Sequence, residues 1–386
     1  MTEPVHRWIF IVSCSAMLVF GIVMTILGTV LPSVIARFQI SNAEAGTLFV
    51  FFSSGLLGGS LVFGPVADRF GYKWLLSSSL LLAAMGLFGI AFSPTYPVLG
   101  TALVICGFAG AAINGGTNAL VSDISEGKRG ARLALLSVFF GIGAFGVPLI
   151  FGSLLDRFPF EGLISAIAVT VLIPLGLILS LRFPPPKHEH GFPVAEGLGL
   201  LKEKTLLLFG LILVIQGGLE MSMGGWSAAY FTDILQVSSS RAVLSLSLFW
   251  FGVTLMRMLL SFLLLRFPAT AIMYVSYLCA FTGSLVLLST SSPAIALAGI
   301  ILTGAGLAAA FPVVLAYVGD LYRHLSGTAF SIILVMALAG NITMPFLIGQ
   351  LSEAFDLRIA LILVPVGILL CLALFGISER RVKSAL

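Results

Sequence analysis

Glu220 and Arg257 are charged side chains inside long apolar runs, where an ion is costly to bury and is a functional candidate by default. A carboxylate and a guanidinium can lock two helices together as a static ion pair. They can equally serve a proton: loss of water opposes ionisation of the carboxyl, a guanidinium favours it, and protonation would release one set of contacts. Gln216, four residues before Glu220, shares its helical face and is its natural companion. Gly107, Ala111, Asn114, Asn118 and Ser122 recur at spacings of three and four, a small and polar stripe along one face. Two amides facing hydrocarbon would be unfavourable, so the stripe must meet protein or a wet cavity. It reads either as helix-to-helix glue or as a row of hydrogen-bond donors and acceptors for a hydroxylated small molecule. Trp226 could stack on such a molecule or belong to an aromatic belt at the membrane surface. Asn341 lies between Gly340 and Pro345, a pair that makes a helix deformable, and is a further candidate for the cavity. Trp250 reads as a packing or lipid-facing residue.

Other reactive side chains are arranged less suggestively. His188 and His190 flank Glu189 in a polar stretch, a pattern more in keeping with solvated residues than with a metal site. Cys14, Cys106, Cys279 and Cys371 fall singly in apolar segments and read as small packing residues. No Ser/His/Asp set, metal quartet or phosphate-binding loop stands out, so neither an enzyme nor a cofactor or metal is expected.

The elements that position these residues follow from composition. The chain of 386 residues is 59% hydrophobic and 9% charged, with a mean hydropathy of +1.13. A water-soluble domain carries about a quarter charged residues, so lipid must be the solvent here. Helices of roughly 20 apolar residues span a bilayer, and twelve are predicted: 8–31, 46–67, 74–93, 96–122, 131–155, 162–182, 205–232, 240–265, 270–290, 293–318, 326–349 and 357–377. The first is too long for a secretory signal and reads as a retained helix. Of the 20 basic residues, Arg37, Arg157, Arg241 and Arg358 fall on one side and Arg257 within a span, leaving fifteen on the other. That asymmetry places both termini in the cytoplasm. The net charge of +4 is this topology signal and needs no nucleic acid to explain it. In the antiparallel hairpin turning near residue 237, Glu220 and Arg257 come within about 4–5 Å of the same depth at 1.5 Å per residue.

The chain also repeats itself. A constant shift of 197 positions lays Gly55 on Gly252, Arg69 on Arg266, Gly107 on Gly304, Asp123 on Asp320, Pro148 on Pro345, Gly152 on Gly349 and Asp156 on Glu353. Residues 1–183 and 205–386 therefore form two six-helix halves of the same orientation, joined by a cytoplasmic linker at 184–204. Asn114 falls on Phe311, so polarity is distributed unequally between the halves.

Between the second and third predicted helices stand Gly64, Asp68, Arg69, Gly71 and Lys73. This stretch resembles the signature loop of the major facilitator superfamily. Gly64 would allow close helix packing, Asp68 would accept from a neighbouring helix N-terminus, and Arg69 and Lys73 would face the anionic inner leaflet. The second half keeps only Arg266 and Phe267 of it. The run Gly217, Gly218, Leu219, Glu220 through Trp226, with Gly304 to Pro312 and Gly340 to Pro345, is similar to the fucose-galactose-glucose proton symporter family. The chain departs from that family at Asn114, where a coupling Glu can stand, at Ala119, which replaces a Pro, and in a first helix without an acid.

The resemblance implies an all-α, multi-pass membrane protein of the major facilitator fold, and the short loops without a targeting segment point to a bacterial inner membrane. It would be a monomer that carries a small-molecule substrate, a sugar or polyol, with protons by alternating access. Asn114, Asn118, Gln216, Glu220, Trp226 and Asn341 would bind the solute, and Glu220 with Arg257 would couple the proton. Asp123 and Asp320, beside Arg129 and Arg323, would join the signature loop in the inside gate. Export of drugs or lipid-like amphiphiles is the alternative; a non-transporting sensor has no cytoplasmic domain to speak through.

Overall fold

The computed structural model describes residues 3–125, 129–183, 200, 202–322 and 326–385. The elements among them are helices: α1 Glu3–Phe38, α2 Asn42–Phe92, α3 Tyr96–Ile124, α4 Arg129–Leu154, α5 Phe160–Ser180, α6 Lys204–Asp233, α7 Ser239–Leu263, α8 Ala269–Ser289, α9 Pro293–Leu307, α10 Ala310–Leu321, α11 Ser326–Ala354, α12 Leu357–Ala360 and α13 Leu363–Ala385. Joining the short breaks, eleven apolar helical runs among the described residues are long enough to cross a membrane. The spans expected at 46–67 and 74–93 form one run, α2, interrupted at Gly71 with φ 84° and ψ 162°. That backbone conformation is open to glycine and strained for other residues. The span expected at 293–318 is interrupted at Ala308 and Ala309, ahead of Pro312, which has no N–H to continue a helical ladder.

The chain divides into two compact units. Unit 1 comprises Met1–Ile40, Thr47–His190 and Ser239–Ser247; unit 2 comprises Ser41–Gly46, Gly191–Ser238 and Leu248–Leu386. In unit 1, α1 packs on α3, α4 and α5, and α3 also meets α4. In unit 2, α6 packs on α11 and α13, while α8 packs on α9 and α13.

The close crossings occur at glycines, and they repeat at the 197-residue shift. A Cβ on Gly55 would strike the Val104 carbonyl oxygen, and one on Gly107 that of Phe52. In unit 2, a Cβ on Gly252 would strike the Ile301 oxygen, and one on Gly304 that of Phe249. Gly86 meets Ala102 and Cys106, just as Gly283 meets Gly299 and Thr303. Within lipid, helix association relies on such close backbone approach, because burying apolar side chains gains little over contact with lipid tails. Cys14, Cys106 and Cys371 are buried and Cys279 partly so, and all four are free thiols.

Candidate functional site

Gln216 and Glu220 lie one turn apart on α6. The intervening Gly217 and Gly218 turn toward α11, where a Cβ would press on the Ala337 and Gly340 carbonyl oxygens and on Met344. That glycine pair seats α6 closely on α11. Arg257, on α7, brings Nη2 to 3.3 Å from Glu220 Oε2 and 3.4 Å from Oε1. The Glu220 side chain is 13% exposed and that of Arg257 24%, so the ion pair is largely withdrawn from solvent. Gln216 is fully buried. Its Nε2 donates to Glu220 Oε1 at 3.2 Å and to the Leu307 carbonyl at 2.7 Å, while its Oε1 is buried without a hydrogen bond among the described residues. Leu307 closes α9, at the interruption before α10.

Two neighbours of this cluster escaped the sequence reading. Tyr277 of α8 is fully buried, with Glu220 and Cys371 of α13 as its electrostatic neighbours. A phenol within the apolar 270–290 span was a usable signal. Pro312 marks the interruption in the sequence, but the carbonyl it frees in helical register is that of Ala308, so the Leu307 carbonyl had no signal of its own.

Trp226 is fully buried and donates Nε1–H to the Pro345 carbonyl at 3.0 Å. It therefore ties α6 to α11 at the proline, with its ring enclosed by protein. Asn341 of α11 is half-buried, with Oδ1 2.5 Å from where a Gly217 Cβ would stand. Trp250 lies 4% exposed beside Phe249, and its ring covers Gly224; it is a packing residue.

In unit 1, α3 presents Asn114 and Asn118 half-buried. Asn118 Nδ2 donates to both the backbone oxygen and Oδ1 of Asn114, each at 2.9 Å. Gly107 and Ala111 of the same stripe are buried, and Gly107 lies in the α2 crossing. The stripe thus changes along its length from packing at Gly107 to a linked amide pair at Asn114 and Asn118.

The signature loop departs from expectation in three places, at Gly64, Lys73 and Asp68. A Cβ on Gly64 would meet nothing within 4 Å among the described residues, so this glycine provides no close packing contact with them; Gly55 and Gly59 do. Lys73 donates Nζ to the Leu179 and Leu181 carbonyls at 2.8 and 2.9 Å, capping the C-terminal end of α5. Asp68 is exposed and hydrogen-bonds to none of the described residues, and Arg69 lies over the Phe70 ring at 5.3 Å. Asp123, at the end of α3, accepts from the Tyr72 hydroxyl at 2.6 Å. The unfavourable end of that helix dipole is offset by Arg132, which donates Nη1 to the Ile124 carbonyl at 3.2 Å. Asp320 is exposed near the end of α10. Arg323, the Arg129 side chain and the histidines at 188 and 190 lie outside the described residues. Among the described residues, no group of three or more His, Cys, Asp or Glu side chains is placed to hold a metal ion.

Comparison with known proteins gives this geometry a setting. The chain is 22% identical over 382 residues to the glucose/mannose transporter GlcP of Bacillus subtilis, covering 94% of this chain and 92% of that protein. It is 22% identical over 361 residues to the sodium-dependent glucose transporter 1 of Xenopus laevis, covering 86% and 73%. The solved structure of a bacterial homologue of the human lysosomal transporter Spinster matches its fold with a TM-score of 0.82 at 17% identity, over 98% of each chain. The Major Facilitator Superfamily model matches residues 13–300 and 208–385. The chain belongs to the major facilitator superfamily of membrane transporters.

Proposed function

We propose that the chain is a secondary active transporter that couples a small polar solute, of the sugar or polyol class, to protons. The observation that carries this reading is the ion pair of Glu220 and Arg257 at 3.3 Å, withdrawn from solvent and bonded to buried Gln216. A carboxyl in such surroundings can change its partners when it gains or loses a proton. The guanidinium already supplies the positive charge that a sodium ion would bring, which favours the proton as coupling ion. The two similar transporters named for glucose support a hydroxylated solute. The linked amides of Asn114 and Asn118 have the hydrogen-bonding capacity for it.

Counting the run on either side of Gly71 as separate crossings gives twelve spans, with both termini on one side. The positive-inside excess then places the termini in the cytoplasm. Alternating access would proceed by the two six-helix halves, with Asp123 and Asp320 at the inner side.

The experiment is an uptake panel in proteoliposomes: hexoses, pentoses, polyols, peptides, lipids and dyes, each with and without an inward proton gradient. Accumulation of a sugar or polyol that follows the proton gradient and ignores sodium is the expected result. Gradient-driven extrusion of dyes or lipids would replace this reading with amphiphile export. In Glu220→Gln, accumulation should be abolished while solute exchange persists; unchanged accumulation would remove Glu220 from the coupling.

A further inference from the structure

The amide of Gln216 touches two things that change for different reasons: a carboxylate and the carbonyl at a helix interruption. One N–H faces Glu220 Oε1 and the other faces the Leu307 oxygen. The amide oxygen is buried with no hydrogen bond among the described residues. Leu307 is the last residue of α9; Ala308 and Ala309 follow as a turn, and Pro312 cannot donate to the preceding turn. The last carbonyls of a helix need outside partners, and here Leu307 finds one on α6.

We propose that Gln216 is a positioning residue that transmits the protonation state of Glu220 to the α9–α10 junction. This rests on the reading that Glu220 takes up a transported proton. With Glu220 ionised, the carboxylate accepts from Nε2, and the same NH2 group holds Leu307. When a proton from the aqueous phase binds the carboxylate, a new O–H forms that must donate, and Gln216 Oε1 is a buried acceptor without a donor. In this relay the amide turns to satisfy it, exchanging the places of Oε1 and Nε2. The Leu307 carbonyl would then face an oxygen instead of an N–H, and acceptor against acceptor is repulsive. The junction must open or shift to find another donor. Protonation thereby loosens α9–α10, and ionisation holds it.

The charged and titratable groups around Glu220 are few. Arg257 reaches it from α7, Tyr277 neighbours it from α8, and Cys371 of α13 neighbours Tyr277. The α9 sequence contains no ionisable side chain. In α10 these are Tyr317 and Asp320, in α11 Glu353, and otherwise in α13 Glu379, Arg380, Arg381 and Lys383, all toward helix ends away from Glu220.

The test is hydrogen–deuterium exchange of the peptide covering 305–313 in the full-length protein in nanodiscs, corrected for the intrinsic effect of pH. The carboxyl-stretch infrared band lost in Glu220→Gln is titrated in parallel. In the wild type, exchange should rise about tenfold as that band appears, the worth of one buried hydrogen bond. In Gln216→Leu, the band should still titrate while exchange stays fast at every pH. Gln216→Asn, which is too short to reach both partners, should behave alike and serves if the leucine variant does not fold. A band that titrates in the wild type without any change in exchange would overturn the relay and leave the proton reading standing. A band that never titrates would overturn both.

Discussion

Gln39 and Gln236 stand 197 positions apart and adopt the same left-handed backbone, with φ 51° and 53°. Each amide donates to the carbonyl three residues back, Ala36 at 2.6 Å and Asp233 at 2.7 Å. The left-handed conformation costs a non-glycine residue roughly 1–2 kcal/mol, and one local hydrogen bond offsets about 1 kcal/mol of it. Glycine at either position should therefore be close to neutral. Valine, which loses the bond and is branched at Cβ, should cost about 2 kcal/mol. Thermal unfolding of Gln39→Val and Gln236→Val in detergent should show matching losses; a loss at one site alone would break the equivalence of the two turns.

The paired glycine crossings make a second, sharper prediction. Alanine at Gly55, Gly107, Gly252 or Gly304 drives a methyl into a backbone carbonyl of the facing helix. Overpacking of this kind costs about 1–3 kcal/mol. Gly64→Ala meets open space and should leave thermal stability unchanged. Gly71→Ala should be destabilising for a different reason, its φ of 84°. Equal stability of Gly64→Ala and Gly55→Ala would contradict the distinction between loop and crossing.

These contrasts show which features were legible in sequence. A constant shift reveals a repeat wherever both copies face the same steric demand, as at Gly55 with Gly252. It cannot say which glycine meets a carbonyl and which meets nothing, because that depends on helix rotation, and Gly64 and Gly55 differ in this respect on one helix. Glu220 and Arg257 could be paired from depth alone, since a hairpin fixes both positions along one axis. Tyr277 and the Leu307 carbonyl come from elements distant in sequence, and no spacing rule ties them to Glu220. Lys73 reads from sequence as a cation at the membrane surface because its two carbonyl partners, at the end of α5, lie more than a hundred residues further on.

For the ion pair, loss of one partner should harm more than loss of both. Arg257→Ala leaves the Glu220 carboxylate largely buried without its guanidinium, a change worth about 3 kcal/mol in a buried pair. Adding Glu220→Gln removes the charge that was left, so the double variant should recover much of that loss. Thermal unfolding of the two single variants and the double variant forms the cycle. Additive losses would mean that the two side chains do not act as a pair.

Asn114 and Asn118 allow packing and solute binding to be separated. Asn118 Nδ2 is committed to Asn114, while among the described residues the Asn114 amide nitrogen and the Asn118 amide oxygen hold no hydrogen bond. That leaves one donor group and one acceptor on two half-buried side chains, the complement of a hydroxyl that both gives and accepts. Asn114→Leu keeps the volume similar and removes the donor together with the Oδ1 acceptor, while the backbone oxygen still receives Asn118. If the face serves a solute, binding should weaken about tenfold or more with little change in expression or unfolding temperature, because a bound hydroxyl loses its partner in a site poor in water. If the face serves packing, stability should change and solute affinity should not. Isothermal titration of the transported sugar against both variants, Asn114→Leu and Asn118→Leu, distinguishes the two. Asn118→Leu removes two hydrogen bonds within α3 and Asn114→Leu only one, so if packing alone were at stake Asn118→Leu should be the more destabilising of the two.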